Sequence, residues 1–169
     1  MYFSTLRTIP WAPNFQWVAT PELAADSINR PHEDYPKRVP ATVQAITYVD
    51  VLLLPLLRKK TTIPPTLICD VHLIVFPNIW GHGEDRYRRV NVAVGLHRPP
   101  DWELVPRLMQ NLHDVYKGKV HSVEVLQEWY KDFEAIHPFV DGNGRTGGVI
   151  VACFAHMMEP AQGYMAVLQ

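Results

Sequence analysis

The densest run of reactive side chains is His137-Pro138-Phe139-Val140-Asp141-Gly142-Asn143-Gly144-Arg145. Pro138 stops any helix arriving from upstream. Gly142 and Gly144 permit positive φ, so successive backbone N–H groups can turn inward as an anion-binding nest. The following Thr146–Met158 stretch is apolar and reads as a helix, which sets the nest at a helix N-terminus, where the macrodipole favours phosphate. Arg145 adds a planar donor fork for phosphate oxygens, and Asp141 is a hard oxygen ligand of the kind Mg²⁺ takes beside a polyphosphate. His137 titrates near neutrality and is suited to accept a proton from an attacking hydroxyl. Asp-Gly-Asn-Gly by itself is also ordinary turn chemistry, so those four residues alone leave a plain structural turn open.

The elements that must position this loop are marked by 15 prolines. Residues 1–40 hold six of them and read as an extended arm wrapped on the domain, with one short helix that has Thr20 as N-cap and Pro21 at its first position. From Ala41 to Leu57 apolar residues recur at helical spacing (Val43, Ile46, Val49, Leu53, Leu56), predicting a buried helix bent near Pro55. Pro64 and Pro65 open a second helix through Phe76, with Leu67, Val71 and Ile74 on one face. Asp101 is expected to cap a third through Tyr116, and Ser122 a fourth to about Ile136. Between Arg86 and His97 the apolar period changes to two, flanked by Gly83 and Gly95, which predicts a strand or short hairpin. The fold class read from this pattern is mainly α with one small β element.

Composition narrows the function. Lys+Arg 16 against Asp+Glu 17 leaves no broad positive field, which argues against sequence-independent nucleic-acid binding. No uncharged apolar run is long enough to cross a bilayer, and Met1–Arg7 lacks the pattern of a signal peptide. Cys69 and Cys153 form neither a disulfide framework nor a zinc spacing, so a reducing, cytoplasmic setting is expected, with export as an effector equally compatible. His72, His82, His97, His113, His121 and His156 have no metal spacing and read as structural or exposed, His72 as a hydrogen-bonded core residue. The cluster Arg86, Arg88 and Arg89, divided between the two faces by alternation, suits either an acidic or phosphate ligand or a solvated face. The five tryptophans read as core.

Taken whole, the His137–Arg145 run resembles the Fic family signature HPFx(D/E)GNGR, whose eight fixed positions match by chance on the order of 10⁻¹⁰ per start. The resemblance extends upstream through Cys69–Phe76, through Tyr87-Arg88-Arg89-Val90-Asn91-Val92, and through Phe133–His137, covering roughly 41–169. It implies a Fic-type helical core with a β-hairpin flap over the active site, 41–169 being the catalytic domain. It further implies that His137 is the general base, Asp141 the Mg²⁺ ligand, and Gly142, Asn143 and Gly144 the anion hole for the nucleotide. Arg145 would hold the β-phosphate and Phe139 anchor the loop. The flap residues Tyr87, Arg88, Val90, Asn91 and Val92 would dock an extended segment of a target protein. Relatives of this kind transfer AMP from ATP to a Ser, Thr or Tyr hydroxyl of a protein. The competing readings are a different diphosphate donor, AMP removal by a water that His137 and Asp141 activate, and a silent binding module.

Two departures bear on the donor. The family motif continues to a second arginine that grips the γ-phosphate, and here that position is Gly148. Counting three residues from Arg145, position 148 is expected to face the mouth of the cradle, where an arginine would reach a terminal phosphate. The inhibitory (S/T)xxxE(G/N) pattern of many relatives is absent from the sequence.

Overall fold

The computed structural model describes residues 9–53, 55 and 62–168. Strand β1 (Asn14–Val18) leads to helix α1 (Pro21–Asn29) and helix α2 (Val39–Tyr48), which continues as a π-helical turn over Val49–Leu53. Helices α3 (Pro65–Val75), α4 (Val105–Tyr116), α5 (Val123–Ile136) and α6 (Asn143–Met158) follow, and strand β2 (Tyr164–Leu168) closes the chain. The expected run of the Ala41 helix through Leu56 and Leu57, and the Met1–Arg7 start, lie outside the described residues.

Local chemistry sets most helix boundaries. The Thr20 hydroxyl accepts from Leu23 N–H with Pro21 at the first helical position, and the Ser122 hydroxyl accepts from Val125 N–H. Pro65 opens α3. In α5 the apolar positions Leu126, Trp129, Tyr130, Phe133 and Ile136 fall on one face, and all are buried. Helix α6 is buried almost all round, because it forms the axis against which α1, α2, α3, α5 and β2 pack. Each large apolar side chain enclosed there contributes roughly 1.5–3 kcal/mol by leaving water.

Three expectations change. The strand pairing runs between the chain ends, β1 against β2 from Asn14↔Leu168 to Val18↔Tyr164. The 86–97 segment instead carries two isolated bridges, His82↔Arg88 and Val94↔His97, the latter closing a tight turn at Gly95-Leu96. Its period-two pattern does mark extended chain, with Val90, Val92 and Val94 half-buried and Asn91 and Ala93 exposed, but no neighbouring strand pairs with residues 90–93 among those described. Asp101 does not cap its helix by side chain. A 3-10 turn, Trp102–Leu104, precedes α4, and the Asn91 side-chain carbonyl accepts from Trp102 N–H at 2.9 Å while its amide donates to Asp101 at 3.2 Å. Of the tryptophans, Trp129 is core, whereas Trp80 is 74% exposed and Trp17 37%.

Candidate functional site

Helix α5 ends at His137, which takes the left-handed conformation at φ 52° and thereby turns the chain out of the helix just before Pro138. Phe139 then plugs the core with no exposed surface, its ring stacked at 3.8 Å on His72 of α3. The Asn143 side chain staples the loop from within, accepting from Phe139 N–H at 2.8 Å and donating to Phe139 O at 2.9 Å. Gly142 caps α6 at φ 82°, and a Cβ there would lie 2.4 Å from the Phe76 ring, so no other residue fits. The amides of Asn143, Gly144 and Arg145 form the first turn of α6, where N–H groups have no intrahelical acceptor. The loop is therefore held by the Asn143 staple, by Phe139 in the core and by the close approach of Gly142 to Phe76.

Arg88, two residues into the flap, supplies much of that hold. It is completely buried, and its guanidinium donates to His137 O at 2.8 Å, Val90 O at 3.0 Å, Pro100 O at 2.5 Å and Ile136 O at 3.5 Å, while its backbone N–H donates to Pro138 O. Burial lowers its pKa to about 10, which leaves it charged at neutral pH. Three histidines add single ties. His72 Nε2–H donates to Asp141 O, His97 Nε2–H donates to Ala135 O, and His82 Nε2 accepts from Val140 N–H. Tyr87 is buried in the core. Spacing gave no sign of this work, because these residues act on backbone carbonyls and amides distant in sequence.

His137, Asp141, Gly142, Asn143 and Gly144 share one cleft of about 500 Å³, walled by Ala93 and Val94 of the flap and by buried Glu134. Trp11, Ala12 and His32 complete the wall, so the N-terminal arm contributes to the site, a role the sequence reading did not give it. A second depression of similar size, around Thr47, Asp50, His156 and Tyr164, contains none of the loop residues. Part of His137 opens on the cleft, yet its ring is enclosed enough that burial, then the nearby Arg88 charge, brings its pKa down to about 4. The imidazole is therefore neutral at pH 7 and holds a lone pair ready for a proton. His72 is likewise held neutral by burial, at about 3.

These two depressed values have a consequence for acid stability. A histidine that charges at about 6.5 when unfolded but stays neutral in the fold contributes stability above that pH, and the contribution is lost as pH falls toward the folded value. From pH 7.5 to 5.5 the pair should cost the fold about 2–3 kcal/mol. Denaturant unfolding at the two pH values measures it, and equal stabilities would remove both histidines from the enclosed framework.

Asp141 presents an exposed side chain, 64% accessible, with Oδ1 accepting from Gly142 N–H at 2.7 Å. Among the described residues no cluster of three or more His, Cys, Asp or Glu assembles into a metal cage. One exposed carboxylate beside an anion nest fits Mg²⁺, which takes one or two carboxylates and completes its shell with phosphates and water. Arg145, by contrast, is only 3% exposed. It donates to Asp34 at 2.5 Å, lies 3.6 Å from Asp141, and stacks over Phe76 at 4.6 Å. Gly148 is not at the mouth of the cradle. It is buried, and a Cβ there would be 3.3 Å from Ile28 of α1. Helix α1 covers that face of α6, so the expected room for an arginine does not exist.

The Fic/DOC family profile matches residues 62–155. A protein adenylyltransferase Fic from Nematostella vectensis is 30% identical over 112 residues, covering 64% of this chain and 26% of the relative, and one from Drosophila willistoni is 30% identical over 111 residues, covering 63% and 22%. The chain thus spans about a quarter of the length of these relatives. Fic-1 from C. elegans shares the fold at a TM-score of 0.54 and 20% identity, over 79% of this chain and 42% of that one. No described helix is long and apolar enough to cross a membrane.

Proposed function

We propose that this chain, which belongs to the Fic/DOC family, is a protein nucleotidyltransferase that moves AMP from ATP to a Ser, Thr or Tyr hydroxyl of a target protein. The observation that carries the reading is His137 sharing one cleft with the first turn of α6 and the Asp141 carboxylate. In the proposed reaction His137 takes the proton of the target hydroxyl as its oxygen bonds to the α-phosphorus, and the bond to the β-phosphate oxygen breaks to release pyrophosphate. The amides of Gly142, Asn143 and Gly144 offset charge on the phosphate oxygens, and Arg145 lies beside them. Asp141 would hold Mg²⁺, which when bound neutralises polyphosphate charge. The printed names of the Nematostella and Drosophila relatives support the adenylyl group as the one transferred. The covered face at Gly148 favours a second reading with another diphosphate donor, because no arginine can serve a γ-phosphate from there. Incubation with a panel of α-labelled nucleotides, Mg²⁺ and cell lysate tests both. Label from ATP in protein supports the first reading, label only from another donor the second, and no label with any donor overturns both.

Asp141→Ala should weaken Mg²⁺–nucleotide binding about tenfold with little effect on folding, since the carboxylate is exposed. Calorimetry that finds unchanged affinity would take the metal role away from Asp141. The flap residues Val90 and Val92 are proposed to present their extended backbone to the target. Val92→Pro, which removes a backbone donor, should reduce target modification at least tenfold while donor binding stays within twofold. Parallel loss of both would make the segment structural only.

A further inference from the structure

The depression at the far end of α6 has no part in the transferase reading. Helix α6 runs 16 residues, so its last turn lies roughly 20 Å from the phosphate nest at its first. A cavity of about 500 Å³ opens there between Pro21 at the start of α1, the π-helical turn that follows α2, and the segment from His156 to Tyr164. Its polar side chains are acceptors. The Asp50 carboxylate takes a hydrogen bond at Oδ2 from the Tyr164 hydroxyl at 2.8 Å, while Oδ1 is buried and has no donor. The Thr47 hydroxyl donates to Val43 O at 3.0 Å and His156 Nδ1–H to Gly163 O at 2.9 Å, which leaves lone pairs on the Thr47 oxygen and on His156 Nε2. No lysine or arginine lines the cavity, and none pairs with Asp50 among the described residues. Burial first, and then the Asp50 carboxylate, push the Tyr164 hydroxyl above its ordinary range, and Glu22 of α1 acts in the same direction. His156 and Met157 belong to the last turn of α6, where the macrodipole favours positive charge.

We propose that this cavity binds a guanidinium group, carried by a small molecule or by an arginine side chain of a partner protein. The site is independent of the transferase reading and shares no residue with the catalytic cleft. A ligand that meets Asp50, Thr47 and His156 Nε2 must bring donors and positive charge, and a guanidinium presents donors only, in a planar fork matched to a carboxylate. Its flat face suits the other half of the site. The His156 and Tyr164 rings are stacked 4.1 Å apart and 17° from parallel, a pile that a further planar cation extends. An ammonium is a compact, strongly hydrated charge with no face to stack, and an anion would meet both Asp50 and the negative end of α6. Val51, Met157 and Pro160 give the cavity apolar walls for an aliphatic stem. A bare metal ion fits less well, because no cage of three or more His, Cys, Asp or Glu assembles among the described residues.

Amide NMR of the full chain, titrated with ethylguanidinium, with N-acetylarginine amide and with the neutral isostere N-acetylcitrulline amide, reads the site without any transfer. The guanidinium probes should shift the amides of 47–51 and 156–164 saturably, with a Kd of about 1 mM or below, and leave those of 137–145 in place. The citrulline probe should bind at least tenfold more weakly. Tighter binding of the arginine amide assigns the guanidinium to a polypeptide, and equal or tighter binding of ethylguanidinium assigns it to a small molecule. Asp50→Asn keeps an acceptor for the Tyr164 hydroxyl and removes the charge, so it should weaken both guanidinium probes at least tenfold. Titrations of the parent that leave 47–51 and 156–164 unmoved, or in which citrulline binds as well as arginine, overturn the proposal whether or not the variant folds. A folded Asp50→Asn chain with unchanged affinity overturns it as well.

Discussion

His137→Ala should lower transfer ~10²–10⁴-fold while nucleotide affinity stays within about threefold of the parent. The expectation follows from the division of labour in the loop. In the proposed reaction phosphate is met by the first turn of α6 and by Arg145, and Phe139 and Asn143 hold that turn in place through contacts His137 does not share. Removing the imidazole deletes a proton acceptor and leaves the cradle. The backbone at 137 is left-handed, φ 52°, a region histidine tolerates somewhat better than alanine, so nucleotide affinity measured on the same preparation also reports that the variant is folded. The pH profile sharpens the test. An ordinary histidine base loses activity below about pH 6.5, but one whose pKa is brought down to about 4 by burial and by Arg88 stays deprotonated, so the parent rate should be flat from pH 8 to pH 6. An alanine variant within threefold of the parent rate would remove His137 as the base, and a parent profile that falls with an apparent pKa near 6.5 would show that burial and Arg88 do not hold its pKa down.

How far the sequence carried this reading depended on whether a feature was local. The caps at Thr20 and Ser122, the prolines opening α1 and α3, and the heptad-like face of α5 act within a few residues of themselves, and each appears where the spacing placed it. The loop chemistry from His137 to Arg145 was equally plain, because reactive types and glycines stand side by side in nine residues. What spacing could not reveal was long-range. Alternation at Tyr87–Val94 distinguishes extended chain from helix but does not say whether a partner strand exists, and the partners β1 and β2 lie at opposite ends of the chain. A count of three from Arg145 put Gly148 near the cradle but could not know that α1 packs there, with Ile28 against position 148. The arm read as a wrap, yet Asp34 reaches Arg145 across 111 residues and Trp11 and His32 wall the cleft. Arg88 is the clearest case. Its neighbours Arg86 and Arg89 suggested a charged surface, and nothing local signals a guanidinium whose acceptors are carbonyls near residues 136, 137 and 100.

Arg88→Ala should cost the fold about 3–5 kcal/mol, the largest loss expected from any single side chain of the flap. The guanidinium is fully buried without a carboxylate directly on it, and it remains charged because carbonyl oxygens from three segments converge on its donors: Val90 in the flap, Pro100 beyond the turn, and Ile136 and His137 at the end of α5. Truncation would strip the acceptors of a charged donor at once and leave a cavity where the side chain ran, and each buried acceptor without a donor is worth about 1–3 kcal/mol. Lysine should not rescue, since one ammonium cannot span carbonyls that a planar fork reaches in several directions. The catalytic end would register the loss separately. Burial is the main cause of the low His137 pKa and the Arg88 charge the next, so in any folded fraction of Arg88→Ala the His137 pKa should rise toward its ordinary value, and the rate should begin to fall at a higher pH than in the parent. Denaturant unfolding and a pH–rate profile measure the two effects on the same preparation. A variant that unfolds within 1 kcal/mol of the parent, by the ~1 kcal/mol criterion that separates surface from core substitutions, would show that the four carbonyls find other partners and that the flap does not hold the loop.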